Sequence, residues 1–184
     1  MQANKDAVGV TERLILRRWR DSDRAPFVRL NADPEVMEFF PTLLSADQTD
    51  WLLSRIAEQE VLNGFTLWAA ELRESGEFIG FVGLAVPGFE AHFTPCVEIG
   101  WRLAAKHWGR GLATEGARAA LQLGFDAYGL SEIVSMAVEG NVRSRRVMEK
   151  LGMTRDAADD FDHPRLPEGH PLRWHVLYRT TKSA

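Results

Sequence analysis

Apolar and polar positions alternate most clearly over residues 97–103. Val97, Ile99, Trp101 and Leu103 fall on one side, and Glu98, Gly100 and Arg102 on the other. That is the period of a half-buried strand. A loop holding Gly109 and Gly111 follows, and residues 112–128 then run without proline and are rich in Ala and Leu, which predicts a long helix stopped at Tyr128-Gly129. Upstream, residues 11–18 read as a strand with Leu14 and Leu16 on one face, and residues 21–31 as a short helix started by Asp21 and Ser22. Asp33-Pro34 breaks that helix, and Pro34 opens a further helical turn through Phe40. Ser45-Ala46-Asp47-Gln48 has the form of a capping box and starts a helix to about residue 62, ended by Asn63-Gly64. Strands follow at 65–72 and 78–86, with Ser75-Gly76 turning between them and a loop at 87–95. Downstream, residues 133–138 form a strand, Asn141 caps a helix to about 151, and Gly152 stops it. Thr154 begins a short strand, residues 156–171 are irregular with three prolines, and residues 172–180 form the last strand. Residues 1–10, small and polar, read as a frayed end. The pattern predicts an α/β (α+β) fold with a mixed sheet and helices on both faces.

Composition narrows the class. A chain of 184 residues, 45% apolar and with six Trp, suits one domain with a sizeable core over residues 1–184. A net charge of −4 argues against general nucleic-acid binding. The single cysteine, Cys96, excludes an internal disulfide and a multi-cysteine metal site. No apolar run reaches membrane-spanning length and the N-terminus lacks an apolar signal core, so a cytoplasmic protein without a membrane partner is expected.

The strand, glycine loop and helix at 97–115 carry the most specific chemistry. The first N–H groups of a helix have no partner within it and carry partial positive charge, and glycines let a ligand approach the backbone closely. Such a junction binds anions, phosphate above all, although a loop that merely caps a helix has the same composition. A P-loop is excluded, because no Lys-Ser/Thr pair follows the glycines. A dinucleotide fingerprint fits poorly: Gly109-Arg110-Gly111-Leu112-Ala113-Thr114 ends in Thr and Gly116 comes two residues late. Glu139, at the end of the next strand, keeps that alternative open.

The stretch resembles the acetyl-CoA loop of the GNAT acetyltransferase superfamily, Gln/Arg-x-x-Gly-x-Gly/Ala. Gly111-Leu112-Ala113 supply Gly-x-Ala, and Trp108 departs from the usual Gln/Arg. The form Trp-Gly-Arg-Gly-x-Ala-Thr-Glu is similar to the Rim-type branch, the ribosomal-protein N-terminal acetyltransferases. A second block, Asn141-Val142-Arg143-Ser144 followed by Glu149-Lys150-Leu151-Gly152-Met153, resembles that branch's Asn-x-x-Ser and Glu-Lys-Leu-Gly-Phe segment. The likeness spans residues 11–180. It implies a mostly antiparallel central sheet whose fourth and fifth strands splay to form a cofactor cleft. It also implies direct acetyl transfer from acetyl-CoA, without a metal, to a primary amine. The acceptor it points to is a protein N-terminal α-amine. A small-molecule amine (polyamine, amino acid or aminoglycoside) and a non-catalytic acyl-CoA-binding module are the alternatives. Family members often dimerise, so a homodimer is a candidate assembly.

On that resemblance, the N–H groups of Gly109, Arg110, Gly111, Leu112, Ala113 and Thr114 hold the pyrophosphate, with Trp108 beside them and Arg110 and Arg145 as further cations. The strand backbone at Ile99, Gly100, Trp101 and Leu103 holds the pantetheine, and Asn141 and Ser144 contact the cofactor. Glu98 is the candidate base, since a carboxylate in a partly apolar cleft has its pKa raised toward neutrality; the competing reading pairs it with Arg102. Ser144 is the candidate acid for the leaving thiolate, or a residue that serves the helix start. His163 and His175 are alternative bases, and His107 is a candidate phosphate neighbour. His163, His170 and the nearby Asp residues lack tight ligand spacing, so no metal is expected. Phe39-Phe40-Pro41 either walls the acceptor site or plugs the core, and Trp68 and Trp101 face the same choice. Cys96 reads as a free thiol.

Overall fold

The structure, a computed structural model, describes residues 5–182. In chain order the elements are β1 (Ala7–Val10), β2 (Leu14–Arg17), a 3-10 turn at Asp21–Asp23, α1 (Arg24–Asn31), α2 (Ala46–Asn63), β3 (Leu67–Leu72), β4 (Phe78–Ala85), β5 (Glu98–Leu103), a 3-10 turn at Ala105–His107 and α3 (Leu112–Asp126). Then come β6 (Glu132–Val138), α4 (Val142–Lys150), β7 (Thr154–Arg155), a 3-10 turn at Ala157–Asp159, β8 (Phe161–Asp162) and β9 (Trp174–Thr181). The sheet order is β1-β2-β3-β4-β5-β6-β9-β7, with β8 also paired to β9. Every pairing is antiparallel except β5 with β6.

Most predicted elements are present. Ser45 and Gln48 form the reciprocal capping box, with the Gln48 N–H donating to Ser45 Oγ at 3.2 Å and the Ser45 N–H to Gln48 Oε1 at 2.8 Å. Gly64 closes α2 in the left-handed conformation. Two expectations fail, and one is met by a single turn only. Ala7–Val10 is a strand rather than a frayed end, because Val8 packs on the core and the segment pairs with β2; the rest of that expectation, residues 1–4, lies outside the described residues. At 34–40 a single helical turn forms and does not extend into a helix: Asp33 Oδ1 accepts the Glu35 N–H at 2.9 Å, Asp33 O accepts the Met37 N–H at 3.0 Å, and Phe40 N–H donates to Met37 O at 2.9 Å. The irregular stretch 156–171 contains β8.

One apolar cluster joins α3 to one face of the sheet through Leu14, Leu16, Val82, Leu84 and Ile99 against Leu112, Ala117, Ala120 and Leu121. A second joins α1 and α2 to the other face around Phe27, Leu30 and Phe81. Each such side chain, fully buried, contributes roughly 1.5–3 kcal/mol.

The sheet divides between β5 and β6. Their ladder holds a single pairing, Glu98 with Val134. The Val134 N–H donates to Val97 O at 2.9 Å, and Ser135 Oγ donates to Ile99 O at 3.0 Å. Beyond that point β5 stays with β4 as far as Leu103↔Gly80, and β6 stays with β9 as far as Val138↔His175. The two halves separate, as the resemblance implied. Val97 and Ile99 both turn their carbonyls to β6, so by the two-residue period Trp101 does too, and there it meets open cleft.

The start of α1 is fixed by a buried ion network. Arg17 on β2 donates to both oxygens of Asp23 at 2.6 and 2.8 Å and to Glu71 of β3 at 2.6 Å, and its side chain is 2% exposed. Removing one partner leaves a buried cation short of charge, which costs about 3 kcal/mol. Asp23→Ala is therefore expected to lower the melting temperature by roughly 6–12 °C for a chain of this size. Thermal unfolding followed by circular dichroism measures it; a drop of less than about 2 °C would mean the network adds little.

Candidate active site

The fork between β5 and β6 opens into a cavity of about 600 Å³. β5 lines it along its whole length, from Glu98, Ile99 and Gly100 through Trp101 and Arg102 to Leu103. β6 contributes Ser135 to Val138, and Asn141 and Ser144 enter from the start of α4. The glycine loop closes one end with Trp108, Gly109, Gly111, Leu112, Ala113 and Thr114.

That end is built to meet negative charge. Gly109 and Gly111 have φ of 72° and 79°, a region that side chains disfavour. A Cβ at Gly109 would meet nothing within 4 Å, so the loop presents bare backbone. α3 begins at Leu112, and its first intrahelical bond is Glu115 N–H to Gly111 O at 3.0 Å. The N–H groups of the preceding residues are left for a ligand. Glu115 would oppose an anion there, but its carboxylate is occupied: it accepts from Thr11 Oγ1 at 2.6 Å, the Arg13 N–H at 2.8 Å and Arg13 Nε at 2.7 Å. α4 adds cations, since Arg143, Arg146 and Lys150 also line the cavity. Arg143 stacks on Trp108 at 4.5 Å.

Glu98 lies at the other end, reachable from the cavity but deep in the molecule. Burial alone pushes its carboxyl up to about 7. Among the described residues no ion pair joins it to Arg102. His163 and His175 stand opposite with ring centroids 5.0 Å apart. Burial first, then His175 and Arg165, push His163 down to about 4, and burial also lowers His175. Both rings are neutral at pH 7, and His163 is a poor proton acceptor. Cys96 is a thiol, pushed by burial to about 11. Among the described residues no cluster of His, Cys, Asp and Glu could hold a metal, and no helix is long and apolar enough to cross a membrane.

The expected site residues converge on this one cavity, with two departures. Arg110 is exposed and does not line it; Arg110 Nη1 lies 3.4 Å from His107 Nδ1 and the Arg110 carbonyl accepts from Arg13 at 2.9 Å. Arg145 is turned to Glu139 O at 3.1 Å. Asn141 Oδ1 accepts the Ser144 N–H at 3.1 Å, so the cap is present, while the Ser144 side chain remains on the cavity. Phe39, Phe40 and Trp101 wall the cavity, whereas Trp68 is core, fully buried and stacked on Tyr128. Sequence reasoning missed Arg143, Arg146 and Lys150, whose i, i+3, i+7 spacing on a helix was the available signal. It also missed Phe89, which a loop carries and no periodicity marks.

A family model described as acetyltransferase (GNAT) domain matches residues 13–154. YkkB of Bacillus subtilis is 37% identical over 145 residues, covering 78% of this chain and 83% of that protein. The FsC-acetyl coenzyme A-N(2)-transacetylase of Aspergillus fumigatus is 34% identical over 137 residues, 69% of this chain and 56% of that one. Among solved structures, an acetyltransferase from Agrobacterium tumefaciens superposes with a TM-score of 0.75 at 27% identity, over 94% of this chain and 93% of the other.

The raised pKa of Glu98 has a consequence for stability. Below the ordinary value of 4.5 both folded and unfolded chains carry the proton. Between 4.5 and about 7 the folded chain alone holds it, and above that range the folded chain must bury a charge. Stability contributed by the protonated carboxyl is thus complete at low pH and lost as pH rises through about 7. Glu98→Gln removes that loss, so its melting temperature relative to the native protein is expected to rise on going from about pH 5 to about pH 8. Paired melts at the two pH values test this, and a constant difference would mean that Glu98 titrates normally.

Proposed function

The chain belongs to the GNAT acetyltransferase family, and on that premise we propose that it moves an acetyl group from acetyl-CoA directly to a primary amine beside Glu98, within a ternary complex. One observation carries the reading: a single cleft joins a glycine-lined helix start to an unpaired carboxyl held near 7.

In this reading the N–H groups from Gly109 to Thr114 hold the pyrophosphate, and Arg146 and Lys150 add charge. Trp108 donates from Nε1 to Leu103 O at 2.8 Å, which ties the loop to the end of β5. The pantetheine lies along β5, bonding the backbone at Trp101 that β6 no longer reaches. A β5 N–H polarises the thioester carbonyl as charge develops on its oxygen. The amine nitrogen bonds to the acetyl carbon, Glu98 takes the amine proton directly or through one water, and the C–S bond breaks. Ser144 is positioned to return a proton to the thiolate. Holding both reactants together supplies the largest share of the acceleration.

The likeness of the glycine block to Rim-type sequences supports a protein N-terminal α-amine as acceptor. Such an amine, with a reference pKa near 8, loses its proton more readily than lysine. A small-molecule amine is the second reading. The aromatic walls favour it: Phe39, Phe40, Phe89 and the two histidines line the same cavity as Glu98.

Two outcomes test the proposal. Acetyl-CoA at a hundredfold excess over its Kd stabilises the fold by about 2.7 kcal/mol, a melting shift of several degrees, while NAD gives little. Gly111→Glu is expected to abolish the acetyl-CoA shift; an equal or larger shift with NAD would return the cleft to a dinucleotide. In steady-state assays Glu98→Gln lowers kcat/KM by about 10²–10⁴ with acetyl-CoA affinity nearly unchanged, and the acidic limb near pH 7 disappears. A loss under about threefold, with a hundredfold loss for His163→Ala, would move the base to the histidine pair.

A further inference from the structure

Arg102 leaves β5 on the same face as Glu98 and Gly100, the face turned away from α3. Its Nη1 donates to Asn31 Oδ1 at 2.6 Å. The guanidinium lies 4.1 Å from the centre of the Phe40 ring and 5.4 Å from that of Phe81. Its Nε is buried without a hydrogen-bond partner. No carboxylate among the described residues pairs with it, whereas Arg143 has Glu38 and Arg17 has Asp23 and Glu71. Burial lowers its pKa to about 10, so at neutral pH it keeps its charge.

A cation withdrawn from water and left without an anion is costly. The fold nevertheless holds it in place. Asn31 is itself fixed on α1 by Thr49 at 3.3 Å from its side-chain nitrogen and by the Leu44 N–H on its carbonyl at 3.0 Å. The free part of the guanidinium faces the cavity, and between Arg102 and Glu98 the floor is Gly100, where a Cβ would find its nearest neighbour at 3.9 Å. The phosphate end of the cavity is at the start of α3, past the end of the strand, and has its own N–H groups and cations.

We propose that Arg102 receives an anionic group of the acceptor, so that the acceptor is a small amine that also carries a carboxylate or comparable anion and lies across Gly100 with its nitrogen at Glu98. The proposal rests on the acetyltransferase reading of the same cavity. Residues four apart on a strand are about 13 Å apart at Cα. With both side chains leaning inward, the amine and the anion of the acceptor are separated by several bonds. Amino carboxylates with a spacer, or dipeptides, fit better than an α-amino acid, whose two groups share one carbon.

The test compares, in the acetyl-CoA assay, ω-amino carboxylates of graded length and glycyl-glycine with their carboxamides, together with a free-N-terminus peptide that has no acidic residue and an amidated C-terminus. The native protein is expected to prefer carboxylates by about thirtyfold or more in kcat/KM, the scale of a desolvated charge pair. Arg102→Met, which refills the space between the two phenylalanines, is expected to bring that ratio close to one, mainly through KM. Acetyl-CoA affinity should move less than about threefold. Arg102→Lys should keep part of the preference. If no amine turns over, the same acceptors are read by melting of the CoA-loaded protein: a shift with carboxylates but not amides, lost in Arg102→Met, supports the site. Equal use of carboxylates and amides by the native protein overturns the proposal, as does efficient acetylation of the neutral peptide. A large loss of acetyl-CoA affinity in Arg102→Met would also overturn it, by assigning the guanidinium to a phosphate of the cofactor. Failure of acetyl-CoA to bind the native protein, by contrast, removes the enzymatic reading itself.

Discussion

The cleft depends on a competition between strand pairings. β5 and β6 share one bridge, and each then follows a stronger antiparallel partner, β4 on one side and β9 on the other. A continuous sheet would satisfy more backbone groups among themselves. The divided one leaves polar backbone on the inner edges, and such groups inside a protein require partners. A ligand rich in amides is a natural complement to that edge. Ser135, bonding to Ile99 O where the strands part, fixes where the division begins.

Charge is graded along the resulting passage. At the α3 end Glu115 is already bonded and does not oppose an anion at the helix N–H groups, and α4 adds cations, of which Arg143 is paired with Glu38. At the far end, Glu98 sits in a poorly solvated place that keeps it near neutrality. The same desolvation acts with opposite sign on three other groups that line the cavity, lowering Arg102, His163 and His175. One environment therefore yields a carboxyl able to take a proton at neutral pH and imidazoles unable to hold one.

The strand, glycine loop and helix were legible because each obeys a local rule: period two at 97–103, positive-φ glycines at 109 and 111, an unbroken helical run after them. The caps at Ser45 and Asn141 were legible for the same reason. What escaped was decided at long range. Ala7–Val10 looks like a loose end until β2 is beside it. Arg102 reads as a paired strand residue until the fold shows which carboxylates reach it, and among the described residues none does. Phe40 walls the cleft while Trp68 fills the core against Tyr128, a difference that the packed fold decides and local apolarity does not.

The grip of Thr11 and Arg13 on Glu115 has a consequence for how this unit can be exchanged. The β1–β2 turn, more than a hundred positions earlier in sequence, is a structural part of the helix start that faces the anion. The family match begins at residue 13. A chimaera spliced at that border would retain the whole matched segment and still sever the Thr11 hydroxyl from Glu115, leaving Arg13 alone to hold that carboxylate beside the phosphate end. The module that can be transplanted intact is therefore larger than the one sequence similarity delimits.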